Sequence, residues 1–141
     1  MEASVFKRMT MSESTKAKGD GAEARALRHL QAQGLTLVER NYRVARGPHA
    51  RAAEVDLILR DAHGTLVFVE VRSRGTSHHG AATETVTRRK QQRIVWAARH
   101  YLMQLASEPP CRFDVVALQG DKEDKEDRLE WLQGAFDAST G

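Results

Sequence analysis

Glu54, Asp56, Glu70 and Arg72 have residue types and spacing that could do chemistry. They lie in residues 54–72, EVDLILRDAHGTLVFVEVR, a stretch that otherwise reads as two short apolar strands joined by a turn. Carboxylates set among buried strand residues are costly unless something pairs with them. A divalent cation held between them is one way to offset that cost. Such perturbed acids concentrate at enzyme sites.

The strands must position those four side chains. Val55, Leu57, Leu59, Val67, Val69 and Val71 are all odd-numbered and apolar, so strict alternation predicts one shared buried face. With a turn at residues 61–65, Asp56 then faces Glu70, Glu54 faces Arg72, and Ile58 faces Phe68. The second face is apolar at the turn end and charged at the open end. Opposed carboxylates repel, so a cation between them would make sense of the pairing. The alternative is a surface hairpin with a Glu54–Arg72 ion pair and solvated acids, which the flanking apolar residues argue against.

The remaining elements follow from pattern. Residues 1–18 read as a disordered polar tail. Residues 20–33 read as a helix with Asp20 as N-cap, Gly34 as its stop, and an apolar stripe of Ala22, Ala26, Leu27 and Leu30. Glu23 sits at the edge of that stripe, and pattern alone favours a first-turn acid placed by the helix dipole. Residues 35–44 alternate as a strand, and residues 45–53 form a basic Gly-Pro loop. Residues 73–86 form a loop beside the charged end. Its His78 and His79 lack spaced partners and read as solvated, not as metal ligands.

Residues 87–107 give the strongest helix signal, with Thr87 as N-cap and Ile94, Ala97, Ala98, Tyr101, Leu102 and Leu105 as its buried stripe. Arg88, Arg89, Lys90 and Arg93 crowd its first turns, where cations oppose the helix dipole. Either an anion such as phosphate compensates, or the turn is simply solvated. Residues 111–118 read as a strand whose Asp114 is an edge or salt-bridged acid. Residues 119–128 read as a charged loop. Residues 129–136 close the domain as either strand or helix, with Trp131 and Phe136 capping the core.

Composition narrows the class. A chain of 141 residues fits one domain. Cys111 is the single cysteine, so no intrachain disulfide can form. There is no apolar run of about 18 residues to span a membrane and no apolar leader near the N-terminus, so a cytoplasmic protein is expected. The net charge of +3 is unevenly spread. Residues 40–100 carry 12 Lys/Arg against 5 Asp/Glu, whereas residues 101–141 carry 4 against 9. A basic middle around an acidic motif points to a polyanion such as nucleic acid, or to a solvated basic face.

Glu23 on a first helix, Asp56 near a strand end, then Glu70-Val71-Arg72 resembles the restriction-endonuclease-like nuclease arrangement. More closely, the chain resembles the YraN-like proteins, uncharacterised protein family 0102, which are similar to archaeal Holliday-junction resolvases. The matching segments are Gly19…Glu23…Ala26…Leu30, Glu39-Arg40-Asn41-Tyr42, Glu54-Val55-Asp56-Leu57-Ile58, Val67-Phe68-Val69-Glu70-Val71-Arg72, Val86-Thr87…Lys90, Cys111-Arg112-Phe113-Asp114-Val115-Val116 and Glu130-Trp131…Ala135-Phe136. The resemblance implies an α/β fold, a mixed sheet flanked by helices in the order α-β-β-β-α-β. It spans residues 19–137 as one domain, with residues 138–141 as a tail.

The resemblance also implies a DNA endonuclease acting on branched or recombination intermediates. Glu23, Asp56, Glu70 and Arg72 would be its catalytic set. Asp56, Glu70 and the Val71 carbonyl would bind Mg²⁺ or Mn²⁺, with Glu23 acting through water or a second ion. Arg74, Arg88, Arg89, Lys90 and Arg93 would contact the phosphate backbone, and a homodimer is the form that junction-cutting enzymes take. One position departs from the resolvase pattern, which has Lys where this chain has Arg72. A guanidinium stays protonated and cannot take a proton. The departure keeps a second expectation open, a nucleic-acid-binding module of the same fold without full activity.

Overall fold

The computed structural model describes residues 13–74, 86–119 and 128–140, with side-chain detail from residue 21 onward. His78 and His79 fall outside the described residues. The elements run α1 (Glu13–Ala32), β1 (Thr36–Val44), β2 (Ala53–Arg60), β3 (Leu66–Arg74), α2 (Arg88–Leu102), β4 (Cys111–Gln119) and β5 (Arg128–Phe136), then a 3₁₀ turn at Ala138–Thr140. The five strands form one sheet in the order β1-β2-β3-β4-β5. Strands β3 and β4 are parallel and the other neighbours antiparallel. This is the expected mixed α/β sheet in a single domain, and residues 129–136 resolve as the fifth strand. A parallel pair needs a long crossover, and α2 lies in the one between β3 and β4.

Each helix covers one face of the sheet. On one side α2 buries Ile94, Val95, Ala97 and Ala98 against Ala53, Val55, Ile58, Leu66, Phe68, Phe113 and Val115. On the other, α1 buries Ala26, Leu27 and Leu30 against Leu57, Leu59, Val67, Val69 and Val116. Because both faces of β3 are covered, residues 66–70 are all buried, which is why this strand reads as a near-continuous apolar run. Each fully buried Val, Leu or Phe contributes roughly 1.5–3 kcal/mol of burial free energy. Trp131 and Phe136 pack at the margins of the two cores, as the sequence suggests.

Local chemistry sets the boundaries. Helix α1 stops at Gly34, whose φ of 98° is a conformation glycine adopts without strain. The Leu35 N–H then donates back to Leu30 O at 3.1 Å, satisfying a last-turn carbonyl. The β2–β3 turn is held by Asp61, whose Oδ1 accepts from the N–H groups of His63 (2.8 Å) and Thr65 (2.9 Å). Thr87 caps α2, its Oγ1 accepting from Lys90 N at 3.1 Å. Asp114 is buried and salt-bridged, not on an edge strand. It accepts from Arg112 Nε, Trp131 Nε1 and the Gly134 N–H.

Several expectations need correction. Helix α1 begins at Glu13, so Asp20 lies inside it and is not the N-cap. Residues 13–18 are therefore helical backbone, not tail, and residues 1–12 lie outside the described residues. Helix α2 ends at Leu102 with Met103 as its C-cap, short of residue 107. Past it, tight bonds from Gln104 N to Tyr101 O and Leu105 N to Leu102 O replace the helical ladder, while the Gln104 side chain donates to the Tyr42 hydroxyl. The predicted common face also fails at one residue. Val55 packs on the α2 side with Ala53, whereas Leu57, Leu59, Val67, Val69 and Val71 pack on the α1 side. Alternation breaks at Asp56, opposite Asn41 of β1. There Asn41 adopts φ 52°, and the ladder pairs Arg40 with Leu57 and Tyr42 with Val55.

Candidate active site

The face switch at Asp56 builds the site. Strands β2 and β3 pair in the predicted register, Ile58 with Phe68 and Leu59 with Val67, but their ladder runs only to Leu57–Val69. Beyond that point Asp56 Oδ2 accepts the Val71 N–H at 2.8 Å, so a side chain takes a β3 donor where the ladder has ended. The expected Glu54–Arg72 pairing does not form in this ladder. Glu54 instead lies opposite Arg43 of β1.

Glu70 alternates with Phe68 onto the α2 face. It is buried, and a buried carboxylate needs partners. Helix α2 supplies one, with Lys90 Nζ 2.9 Å from Glu70 Oε2. Arg72, two residues along β3, approaches the same oxygen at 3.7 Å. Part of the anion that the basic start of α2 calls for is thus an acid of the protein itself. From the other side of the sheet, α1 brings Glu23 to within 4.0 Å of Arg40 Nη2.

These groups meet in a cleft of about 310 Å³ lined by Ala22, Glu23, Arg43, Arg51, Ala52, Glu54, Asp56, Glu70, Val71, Ser73, Lys90, Arg93 and Ile94. Of the residues predicted to act, Glu23, Asp56, Glu70, Val71, Lys90 and Arg93 share this lining. Arg72 touches Glu70 from outside the lining. Arg88 and Arg89, expected to contact the phosphate backbone, are exposed on the first turn of α2 and lie outside the cleft lining. Arg74 ends β3 opposite Gln119, and its side chain is outside what is described. Sequence reasoning missed Arg43 and Arg51 as site residues. Pairing residues 35–44 with β2 across the basic loop would have found Arg43, because it sits opposite an acid in register.

Electrostatics single out Asp56. Burial pushes its carboxyl well above the usual carboxylate range, and the Glu70 charge raises it further. The Val71 N–H works against this, while Glu23 and Glu54 add smaller upward pushes. Four carboxylates and four cations line the cleft, so the lining alone is not strongly attractive to phosphate. A proton on Asp56, or a divalent cation, would tip the balance towards anions.

The donor types fit such a cation in part. Carboxylate and carbonyl oxygens are the hard ligands that Mg²⁺ and Mn²⁺ prefer. No three His, Cys, Asp or Glu groups among the described residues converge as a metal-holding cluster. Asp56 and Glu70 are the carboxylates that would hold such an ion, which with one or two protein ligands would keep several waters.

Residues 22–118 match the uncharacterised protein family UPF0102, well over half of the chain. A UPF0102 protein of Methylibium petroleiphilum is 63% identical over 126 residues, covering 89% of this chain and 98% of that protein. UPF0102 proteins of Acidovorax sp. strain JS42 and Paracidovorax citrulli are 55% and 54% identical, each over 89% of this chain and over 89% and 86% of their own lengths. The match takes in every residue lining the cleft, and on it the chain belongs to UPF0102, the YraN-like family.

Proposed function

We propose that this protein is a Mg²⁺- or Mn²⁺-dependent endonuclease that hydrolyses DNA phosphodiesters, with branched or recombination-type structures as its substrates. The observation that carries this reading is the convergence of Asp56 and Glu70 where β2 and β3 part, with Lys90 Nζ on Glu70 at 2.9 Å. The restriction-endonuclease-like likeness of the Glu23, Asp56, Glu70-Val71-Arg72 pattern points the same way.

Phosphodiester hydrolysis needs a positioned water and charge stabilisation at phosphorus. Asp56, Glu70 and the Val71 carbonyl would hold the metal, whose chemistry there would be to acidify a water and polarise the phosphate. Glu70 fixes the Lys90 ammonium at the inner wall, where it meets phosphate charge. Arg72 cannot serve as a base, and Lys90 brings from α2 the amine that the resolvase pattern has on β3. Arg43, Arg51 and Arg93 hold the flanking phosphates, contacts that position a strand without reading its bases. Recognition then rests on shape. Cutting both strands of a junction calls for two sites, so the reading includes a homodimer. A bacterial cytoplasm is where its DNA lies.

A second reading has its own observation. Glu70 already holds two cationic side chains, Lys90 and Arg72. This favours a nucleic-acid-binding module without catalysis. One experiment separates them. Wild type, Asp56→Asn and Glu70→Gln are incubated with four-way junction, flap, duplex and single-stranded DNA in Mg²⁺, Mn²⁺ or EDTA. Metal-dependent cleavage by wild type alone supports the nuclease. Salt-sensitive binding with no cleavage in any metal supports the module and sinks the nuclease.

A further inference from the structure

An exposed aromatic platform stands on α2 beyond the cleft. Trp96 is 41% exposed, a large apolar side chain on the outer face of a helix whose opposite face is fully packed. The His100 ring lies nearly parallel to it, 16° between planes and 5.9 Å between centroids. Tyr42 holds that imidazole from behind through a 2.7 Å hydrogen bond between its hydroxyl and His100 Nδ1. Gln104 Nε2 donates to the same hydroxyl at 2.6 Å. The two stacked rings are therefore anchored to β1.

One cation, Arg46, lies against this platform and connects it to the cleft lining. The Arg46 guanidinium lies 6.0 Å from the Trp96 ring, at the outer limit of a cation–π contact. Its Nε donates to the Arg51 carbonyl at 2.8 Å, and Arg51 lines the cleft. Arg93, one turn before Trp96 on α2, also lines it. Two cleft residues thus connect to the aromatic surface, Arg51 through its bond from Arg46, which lies over the Trp96 ring, and Arg93 along α2. A positively charged track that ends on stacked aromatic rings is the chemistry that holds unpaired nucleotides. A paired base offers no free face to such a surface.

We propose that Trp96, backed by His100 and flanked by Arg46, stacks an unpaired base of a DNA strand whose neighbouring phosphates lie in the cleft. This rests on the nucleic-acid reading of the cleft and sharpens it. The substrate class becomes DNA with a single-stranded portion next to the bond to be cut, such as a flap or an opened branch point. Trp96 then acts in binding and takes no part in the chemical step.

The test measures binding in EDTA, where cleavage cannot intervene. Short oligothymidylate and a fully paired duplex are titrated against wild type, Trp96→Ala and Trp96→Phe, with circular dichroism reporting the fold of each. The expected result is about a tenfold loss of oligothymidylate affinity in Trp96→Ala, the scale of one lost base stack. Most of that loss is restored by Trp96→Phe, and duplex affinity stays within about twofold. Wild-type tryptophan emission is quenched by the oligonucleotide, and the quench disappears in Trp96→Phe. Equal loss on both DNAs, unchanged oligothymidylate affinity, or no binding of either DNA by wild type overturns the proposal. If the tryptophan-dependent binding holds while wild type cleaves nothing in Mg²⁺ or Mn²⁺, the platform stands and the nuclease reading falls.

Discussion

Asp56 occupies a position unfavourable to its own charge. Burial and the nearby Glu70 both raise its carboxyl above the ordinary 3.8. Between 3.8 and the folded value, the folded state holds a proton that the unfolded state has released. Stability then falls as pH rises across that window, fully present below 3.8 and lost as pH passes the folded value. Asparagine keeps an oxygen for the Val71 N–H and carries no charge. In EDTA, Asp56→Asn should therefore be the more stable protein at neutral pH, with the difference shrinking as pH falls through the folded value towards 3.8, below which Asp56 is protonated in both states. Urea unfolding at several pH values measures this, and parallel profiles for the two proteins would refute it. On the nuclease reading the same substitution lowers cleavage by at least about a hundredfold, since it removes a ligand carboxylate. A gain in stability with a loss of activity marks a residue kept for function. The sequence disclosed that Asp56 and Glu70 belong together. It did not disclose that Asp56 reaches across to a backbone N–H, because that depends on where the ladder ends.

Helix α2 is the element on which the site most depends, since it carries Lys90 and Arg93 into the cleft. Its start is fixed by Thr87, whose hydroxyl accepts the Lys90 N–H. Thr87→Ala should cost about 1 kcal/mol of stability and lower any cleavage further by loosening Lys90, while Thr87→Ser restores both. Thermal unfolding and cleavage rates test the pair, and full activity in the alanine variant would argue against this anchoring. Strand β3 is the rigid partner. Phe68 is fully buried and stacks on Phe113 at 5.5 Å, so Phe68→Ala should destabilise by about 3–5 kcal/mol in urea unfolding. A loss under 1 kcal/mol would mean the two rings do not pack in the core as described. Four strands and the first turn of α2 were legible because their alternation, caps and turns are local signals. The face of Val55 was not. Period-two counting assumes an unbroken strand, and β2 changes face at Asp56, across from the left-handed Asn41. The fifth strand was ambiguous for the opposite reason. Its Gly134 has φ 59° and its register shifts between Phe113 and Val115, so neither period is clean.

Across the whole molecule the basic excess is partitioned by the fold. Of the arginines in residues 40–100, Arg43, Arg51 and Arg93 line the cleft, Arg40 lies beside Glu23, and Arg99 donates to the Ala138 carbonyl. The charge count left a polyanion partner and a solvated basic face both open, and could not assign cations to either, because strand pairing and helix phase decide that. Mixed topology and a single domain were legible, since β-β-β-α-β spacing with one strong helix allows few arrangements. The assignment itself is testable by salt. Each phosphate contact removed should reduce the slope of log K against log salt by about one. In EDTA, duplex binding by Arg43→Ala, Arg51→Ala and Arg93→Ala should each show that reduction. Arg88→Ala should keep the wild-type slope, because Arg88 is exposed and outside the cleft lining. Fluorescence anisotropy over a range of salt concentrations measures all four. If Arg88→Ala flattens the slope as much as Arg43→Ala does, phosphate is held by the outer turn of α2, and the cleft between the two helices is not where DNA binds.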